Sequence, residues 1–160
     1  MSYDHLLSPI TIKDLELKNR MVVPSMGTNL GNDDGSVSQR LIDYYRTRAA
    51  GGWGLVVVEG VAVNSTGMCI PNEGHFWSDD AIEPMSHLVD AIHAEGAKTI
   101  LQIHHAGRQT HPGLIGGQQP IAPRETMINS RWHWHQLSNQ CGDWVNWGAT
   151  WARQTIFFII

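Results

Sequence analysis

A chain of 160 residues with 42% hydrophobic side chains and a formal charge of −4 has enough apolar material for one core and no excess of positive charge to hold a polyanion. Nucleic acid is therefore not expected as a partner. The first residues lack the basic and then apolar stretch of a secretion signal, and no run nears the roughly 18 apolar residues of a membrane span, so a cytoplasmic protein with no membrane partner is expected. Cys69 and Cys141 stand far apart without the paired spacing of thiolate clusters, which makes each an isolated reduced thiol and gives no zinc or iron–sulfur site.

In chain order, Ile10-Thr11-Ile12 and Leu15-Glu16-Leu17 alternate apolar residues on either side of Lys13-Asp14, the pattern of a short hairpin. Residues 20–26 are a compact apolar run closed by Gly27, as in a buried strand whose end opens into a loop; residues 29–35 are rich in Gly, Asn and Asp and predict that loop. Ser36 and Gln39 have capping-box spacing, and Leu41, Ile42, Tyr45 and Ala49 follow at helical spacing until Gly51-Gly52, predicting a helix over 38–50. Residues 55–63 are a strongly β-branched second strand. Ser78-Asp79-Asp80 reads as the cap of a second helix over 82–95, with Ile82, Met85, Val89 and Ile92 as its inner face and Gly96 as its stop. Residues 99–103 are the third strand. The alternation of strand and helix predicts parallel pairing through right-handed crossovers. A TIM barrel and an open doubly wound sheet both begin this way, and periodicity does not separate them.

After residue 123 the character changes. Trp132, Trp134, Trp144, Trp147 and Trp151 place five of the seven tryptophans near the C-terminus with no period to organise them. The last run, Ile156-Phe157-Phe158-Ile159-Ile160, is uncharged and β-prone, an aggregation hazard. Two regions are expected, 1–123 and an irregular tail over 124–160.

Three stretches end on strands: Asn19-Arg20-Met21-Val22-Val23-Pro24-Ser25-Met26-Gly27-Thr28-Asn29, Gly51-Gly52-Trp53-Gly54-Leu55-Val56-Val57-Val58-Glu59-Gly60, and Gln102-Ile103-His104-His105-Ala106-Gly107-Arg108. In that order and at that spacing they resemble the Old Yellow Enzyme family of flavin-dependent oxidoreductases, in its branch of NADH:flavin oxidoreductases related to clostridial enoate reductases, over residues 6–123. The resemblance decides for the barrel. It implies an α/β chain forming an incomplete (β/α)8 TIM barrel, about the first three βα units, with the hairpin plugging one end; a closed barrel usually takes about 250 residues. Relatives continue from a motif like Pro120-Ile121-Ala122-Pro123 into a long helix and a histidine-bearing strand, and this tail does not. It reads as a shifted frame or equivalent truncation beginning between residues 123 and 129, the alternative being a genuine divergent tail.

The resemblance also implies a site. Active sites of such barrels lie at the C-terminal strand ends, where Pro24, Ser25, Met26 and Gly27 match positions lining the flavin, Gly60 matches a small-residue position beside the ring, and Gln102 matches a glutamine whose amide bonds the flavin pyrimidine and stabilises charge developing there. Gly27 stands where many relatives carry a Thr or Cys that tunes the flavin. Asn29 stands where some carry a Tyr and has no phenolic proton to give. Glu59 and Arg108 are read as structural. The catalytic His pair of the family has no counterpart in this chain, so no catalytic residue is assigned. His104, His105 and His111 are candidate metal ligands by type alone, but consecutive strand residues face opposite ways and no carboxylate has ligand spacing, so no metal is expected.

The implied lineage activity is hydride transfer from NADH or NADPH to FMN and on to the β-carbon of a small-molecule alkene of the enoate or enone type. The chain alone is expected to be an inactive fragment, with an exposed sheet edge through which copies self-associate. A non-catalytic interaction protein or decaying gene product without flavin is the rival reading.

Overall fold

The computed structural model describes residues 3–121 and the strand Thr155–Ile159; the sequence readings for residues 122–154, including Cys141 and the five tryptophans, fall outside the described residues. A one-turn helix α1 (Asp4–Leu7) leads into the hairpin β1 (Ile10–Ile12) and β2 (Leu15–Leu17), antiparallel with Ile10 opposite Leu17. Lys13 turns the hairpin at φ 52. Then come β3 (Val22–Val23), α2 (Gln39–Ala50), β4 (Leu55–Ala62), α3 (Ile82–Ala94) and β5 (Lys98–His104). The β3–β4 and β4–β5 pairs are both parallel, so each helix is a crossover, as the alternation predicts.

Two predicted boundaries shift for identifiable reasons. The first strand shrinks from 20–26 to Val22–Val23. Pro24 has no N–H to continue the ladder, and upstream the Met21 carbonyl is shared by the Gly54 and Leu55 N–H groups at 3.1 and 3.2 Å. The predicted helix cap moves from Ser36 to Ser38. Ser36 is spent on Asp34, whose Oδ1 accepts both its N–H and its hydroxyl at 2.9 and 2.6 Å, and it is Ser38 Oγ that accepts the Leu41 N–H at 3.1 Å while donating to the Leu30 carbonyl. The second helix is entered through a 3₁₀ turn, Asp79–Ala81, with no side-chain cap from Ser78. Its inner face is Met85, Leu88, Val89 and Ile92; Ile82 is 57% exposed, contrary to the periodicity reading, because it sits in the first turn before the helix meets the sheet.

The turn before β4 shows why it is glycine-rich. Gly52 ends α2's exit at φ +90, and a Cβ on Gly54 would lie 2.6 Å from the Asn19 carbonyl oxygen. Asn19 fills that space deliberately: it is buried, its Nδ2 donates to the Gly52 carbonyl at 2.7 Å and its Oδ1 accepts the Met21 N–H at 3.1 Å.

The core lies between sheet and helices. Val56, Val58 and Val61 of β4 and Leu101 of β5 pack with Leu41, Tyr45 and Ala49 of α2 and Met85, Leu88 and Ile92 of α3. The jump from Val58 to Val61 is a β-bulge. Val58 pairs with Leu101 and Gly60 with Gln102, which leaves Glu59 as the extra residue. Its backbone N–H donates at 2.7 Å to the Tyr45 hydroxyl. Removing that hydroxyl strands a buried N–H, so Tyr45→Phe is expected to cost about 1–3 kcal/mol in urea unfolding; an unchanged midpoint would place the Glu59 amide on water instead.

One part of the tail is ordered as a strand. β6 (Thr155–Ile159) runs antiparallel along β5, Ile100 opposite Ile159 and His104 opposite Thr155. Five consecutive β5 residues are paired there, so the outer edge on this side of the sheet is β6. The β-prone terminal run satisfies the backbone groups that an unclosed sheet leaves open. No helix among the described residues is long and apolar enough to cross a membrane.

Candidate functional site

The bulge decides which residues share the C-terminal end of the sheet. Side chains alternate along a strand, so without the extra residue Gly60 would follow Val56 and Val58 toward the helices. With it, Val61 takes that place and Gly60 turns to the opposite face. A Cβ built on Gly60 would lie 2.9 Å from His104 Cδ2, 3.2 Å from His104 Nε2 and 3.4 Å from Gln102 Oε1. Gly60, Gln102 and His104 therefore form one surface, the face of the sheet away from α2 and α3.

Ser25 joins them from the turn just after β3. Its hydroxyl donates to Gln102 Oε1 across 77 residues of sequence. With its oxygen engaged, the Gln102 amide is oriented and its N–H₂ is the end suited to donate to a ligand. Pro24, Met26 and Gly27 flank Ser25 and are exposed, Met26 at 51%. An exposed apolar turn, a glycine whose missing side chain lets His104 and Gln102 approach closely, and an oriented amide meet at this end of the sheet. The six residues read from the sequence thus sit together at the strand ends.

Glu59 supports this surface from below. It is 1% exposed, and its Oε2 accepts the Thr28 N–H at 2.7 Å, anchoring the residue that follows Gly27. Burial pushes its carboxyl above the ordinary glutamate value, the Thr28 N–H pulls the other way, and the charge of Glu73 adds to the rise. Its Oε1 is buried without a hydrogen-bond partner among the described residues. A carboxyl with a raised pKa keeps its proton in the folded chain at pH values where the unfolded chain has released it. Stability from this group is therefore full below the ordinary glutamate value and falls as pH rises through the raised one. Glu59→Gln is expected to remove that decline in urea midpoints measured from pH 4 upward; a variant whose midpoint declines as steeply as the parent would contradict it.

Several neighbours have settled roles. Cys69 is half-buried and its thiol is pushed up to about 12, first by burial and then by Glu73, so it is no thiolate nucleophile. His105 is held below its ordinary value by burial and by His104. Arg108 is exposed. Asn29 is in the left-handed region at φ 58 and its Oδ1 accepts the Asn72 N–H at 2.9 Å, a loop-holding role. Sequence reasoning missed Glu73, whose Oε1 pairs with His104 Nε2 inside the protein. Nothing in Pro71-Asn72-Glu73-Gly74 distinguishes that glutamate from a solvated loop residue.

Residues 5–138 match the NADH:flavin oxidoreductase / NADH oxidase family. The chain belongs to that family. An NADH oxidase of Thermoanaerobacter brockii is 48% identical over 122 residues, covering 76% of this chain and 19% of the relative, and an NADH:fumarate oxidoreductase of Klebsiella pneumoniae is 41% identical over 123 residues, covering 76% and 13%. The chain thus spans a fifth or less of the length of these two relatives. Among solved structures, a 2-naphthoyl-CoA reductase complex superposes with a TM-score of 0.74 at 32% identity, covering 78% of this chain and 21% of that one. Morphinone reductase gives 0.72 at 27% identity, covering 78% and 34%. These family members are Old Yellow Enzyme TIM barrels, of which this chain forms a part without a closed barrel.

Proposed function

We propose that the surface formed by Pro24, Ser25, Met26, Gly27, Gly60 and Gln102 is the flavin-ring contact of an FMN-dependent NAD(P)H oxidoreductase acting on activated C=C bonds. The observation that carries this reading is the convergence of Gly60 of β4, Gln102 of β5 and Ser25 of the turn after β3, since a structural role for each alone would not require a bulge to bring Gly60 beside an oriented amide. Relatives named for NADH, fumarate and acrylate support the substrate class, with an enoate or enone as the small-molecule partner. When bound, FMN supplies acceptance of a hydride from NADH or NADPH and its delivery to the alkene β-carbon.

The chain's own residues serve the ring. Gly60 leaves the slot in which a ring lies flat against the sheet end. Gln102 offers its N–H₂ to the pyrimidine edge, where negative charge develops on reduction, and a preorganised donor lowers the energy of that charge without reorganising. Ser25 fixes which end of the amide faces the ring. Pro24 and Met26 provide apolar cover that excludes water from it. We further propose that the 160 residues alone bind flavin weakly and turn over little, because the phosphate loops and the polar pair that hold substrate in relatives have no match in this sequence.

The test is a titration with riboflavin, which carries the ring without the phosphate. Gln102→Leu, close in volume and lacking the amide, is expected to weaken binding about tenfold, the value of one charge-directed hydrogen bond of about 1.4 kcal/mol. Equal affinity in the variant would remove Gln102 from the site.

A further inference from the structure

Residues 63–77, between β4 and α3, double back over the ends of β4 and β5. The backbone contacts are the Ala62 N–H to the Gly74 carbonyl at 2.9 Å, the Phe76 N–H to the Ala62 carbonyl at 2.8 Å, and the Ala106 N–H to the Gly67 carbonyl at 2.9 Å. The side-chain contacts converge on two consecutive histidines. His104 Nε2 pairs with Glu73 Oε1, the two side chains 1% and 4% exposed, and Glu73 Oε2 accepts the Cys69 N–H. His105 Nδ1 accepts the Gly107 N–H at 3.0 Å, which places its ring proton on Nε2, 3.3 Å from Thr66 Oγ1. The Thr66 hydroxyl then donates to Asn64 Oδ1 at 2.9 Å.

A carboxylate taken out of water is costly unless it is paired and hydrogen-bonded, and removing its partner costs more than the pair contributes. Glu73 has both kinds of partner, one on β5 and one on its own segment. The ring it holds is the one that stands 2.9 Å from where a Gly60 Cβ would be. We propose that Glu73 is a positioning residue of the strand-end surface: through His104 and the Cys69 amide it locks segment 63–77 onto β4 and β5 and fixes the His104 ring as one wall of the slot over Gly60 and Gln102. The consequence for ring binding rests on the flavin reading above. The lock does not.

The experiment is amide hydrogen exchange and riboflavin titration on the whole 160-residue chain carrying Glu73→Gln or Glu73→Leu. Leucine fills the volume without either polar contact. It is expected to speed exchange at the Ala62, Cys69 and Ala106 amides about tenfold or more while the α2 and α3 amides keep their protection, and to weaken riboflavin binding by a similar factor. Glutamine accepts the Cys69 N–H through its oxygen and donates to His104 Nε2 through its N–H₂, and is expected to restore both readouts. Should the leucine variant not fold, the double variant Glu73→Leu/His104→Leu, which leaves no lone imidazole, carries the same expectation. Unchanged exchange at the three amides would overturn the lock. Faster exchange with unchanged riboflavin affinity would overturn the positioning role and leave the flavin reading standing. A parent chain that does not bind riboflavin would overturn the flavin reading and the positioning role with it, while the exchange readout still decides the lock.

Discussion

Replacing Gly60 with leucine is expected to weaken flavin-ring binding by about a hundredfold or more, equivalent to at least about 2.7 kcal/mol. A single Cβ at this position already lies 2.9 Å from His104 Cδ2, closer than packed carbons approach. His104 has no room to retreat, because Glu73 holds its ring in the interior. The three further carbons of leucine must therefore occupy the space over Gln102 or force the β4 bulge to shift. The same crowding is expected to destabilise the chain by about 1–3 kcal/mol, the usual range for an overpacked site. Gly60→Ala separates the two effects: its methyl meets the same 2.9 Å contact and so carries the destabilisation, but without the further carbons it is expected to weaken ring binding less than leucine does. Riboflavin titration by fluorescence checks both variants, and a leucine variant that binds as the parent does would show that the ring lies elsewhere.

Removing residues 155–160 is expected to convert the chain into an associating species. β6 pairs with β5 from Ile100 to His104, and without it the N–H and C=O groups along that edge lose their partners. An unpaired edge flanked by buried valines and leucines is a template for strand addition by a second copy. The other edge offers less, because β3 is only Val22–Val23 and Pro24 ends it. Sedimentation velocity or light scattering on the shortened chain should show dimers or larger species at concentrations where the parent shows fewer. A shortened chain that stays monomeric and keeps its unfolding midpoint would show that β6 contributes nothing at that edge.

The sequence made the α/β order readable because buried parallel strands and amphipathic helices carry strong and different periods. β4 and α3 each differ from the predicted runs by one residue at the C-terminal end, and β5 by one residue at each end. The failures are local. The first strand was overextended because an apolar run shows burial but not pairing, and pairing stops at Pro24. Ser36 has capping-box spacing but does not cap, because Asp34, two residues before it, claims its hydroxyl. The candidate site was legible only as separate residues. That Ser25 reaches Gln102 depends on the β3–β4–β5 order, and that Gly60 faces Gln102 depends on the bulge at Glu59. An isolated glycine after a glutamate in a β-branched run is the one available hint of that bulge. Glu73 is not legible in the sequence because its burial is created by a loop folding back over the ends of β4 and β5, and its partner His104 lies 31 residues away.

The central claim is that the strand ends carrying Ser25, Gly60 and Gln102 contact a flavin ring. The direct measurement is a ¹H–¹⁵N NMR titration of the chain with FMN up to millimolar concentration. Saturable shifts are expected at the Ser25, Met26, Gly27, Gly60 and Gln102 amides and at the Gln102 side-chain N–H₂, with α2 and α3 unaffected. Absence of shifts at these groups, or shifts gathered on another part of the chain, would contradict it.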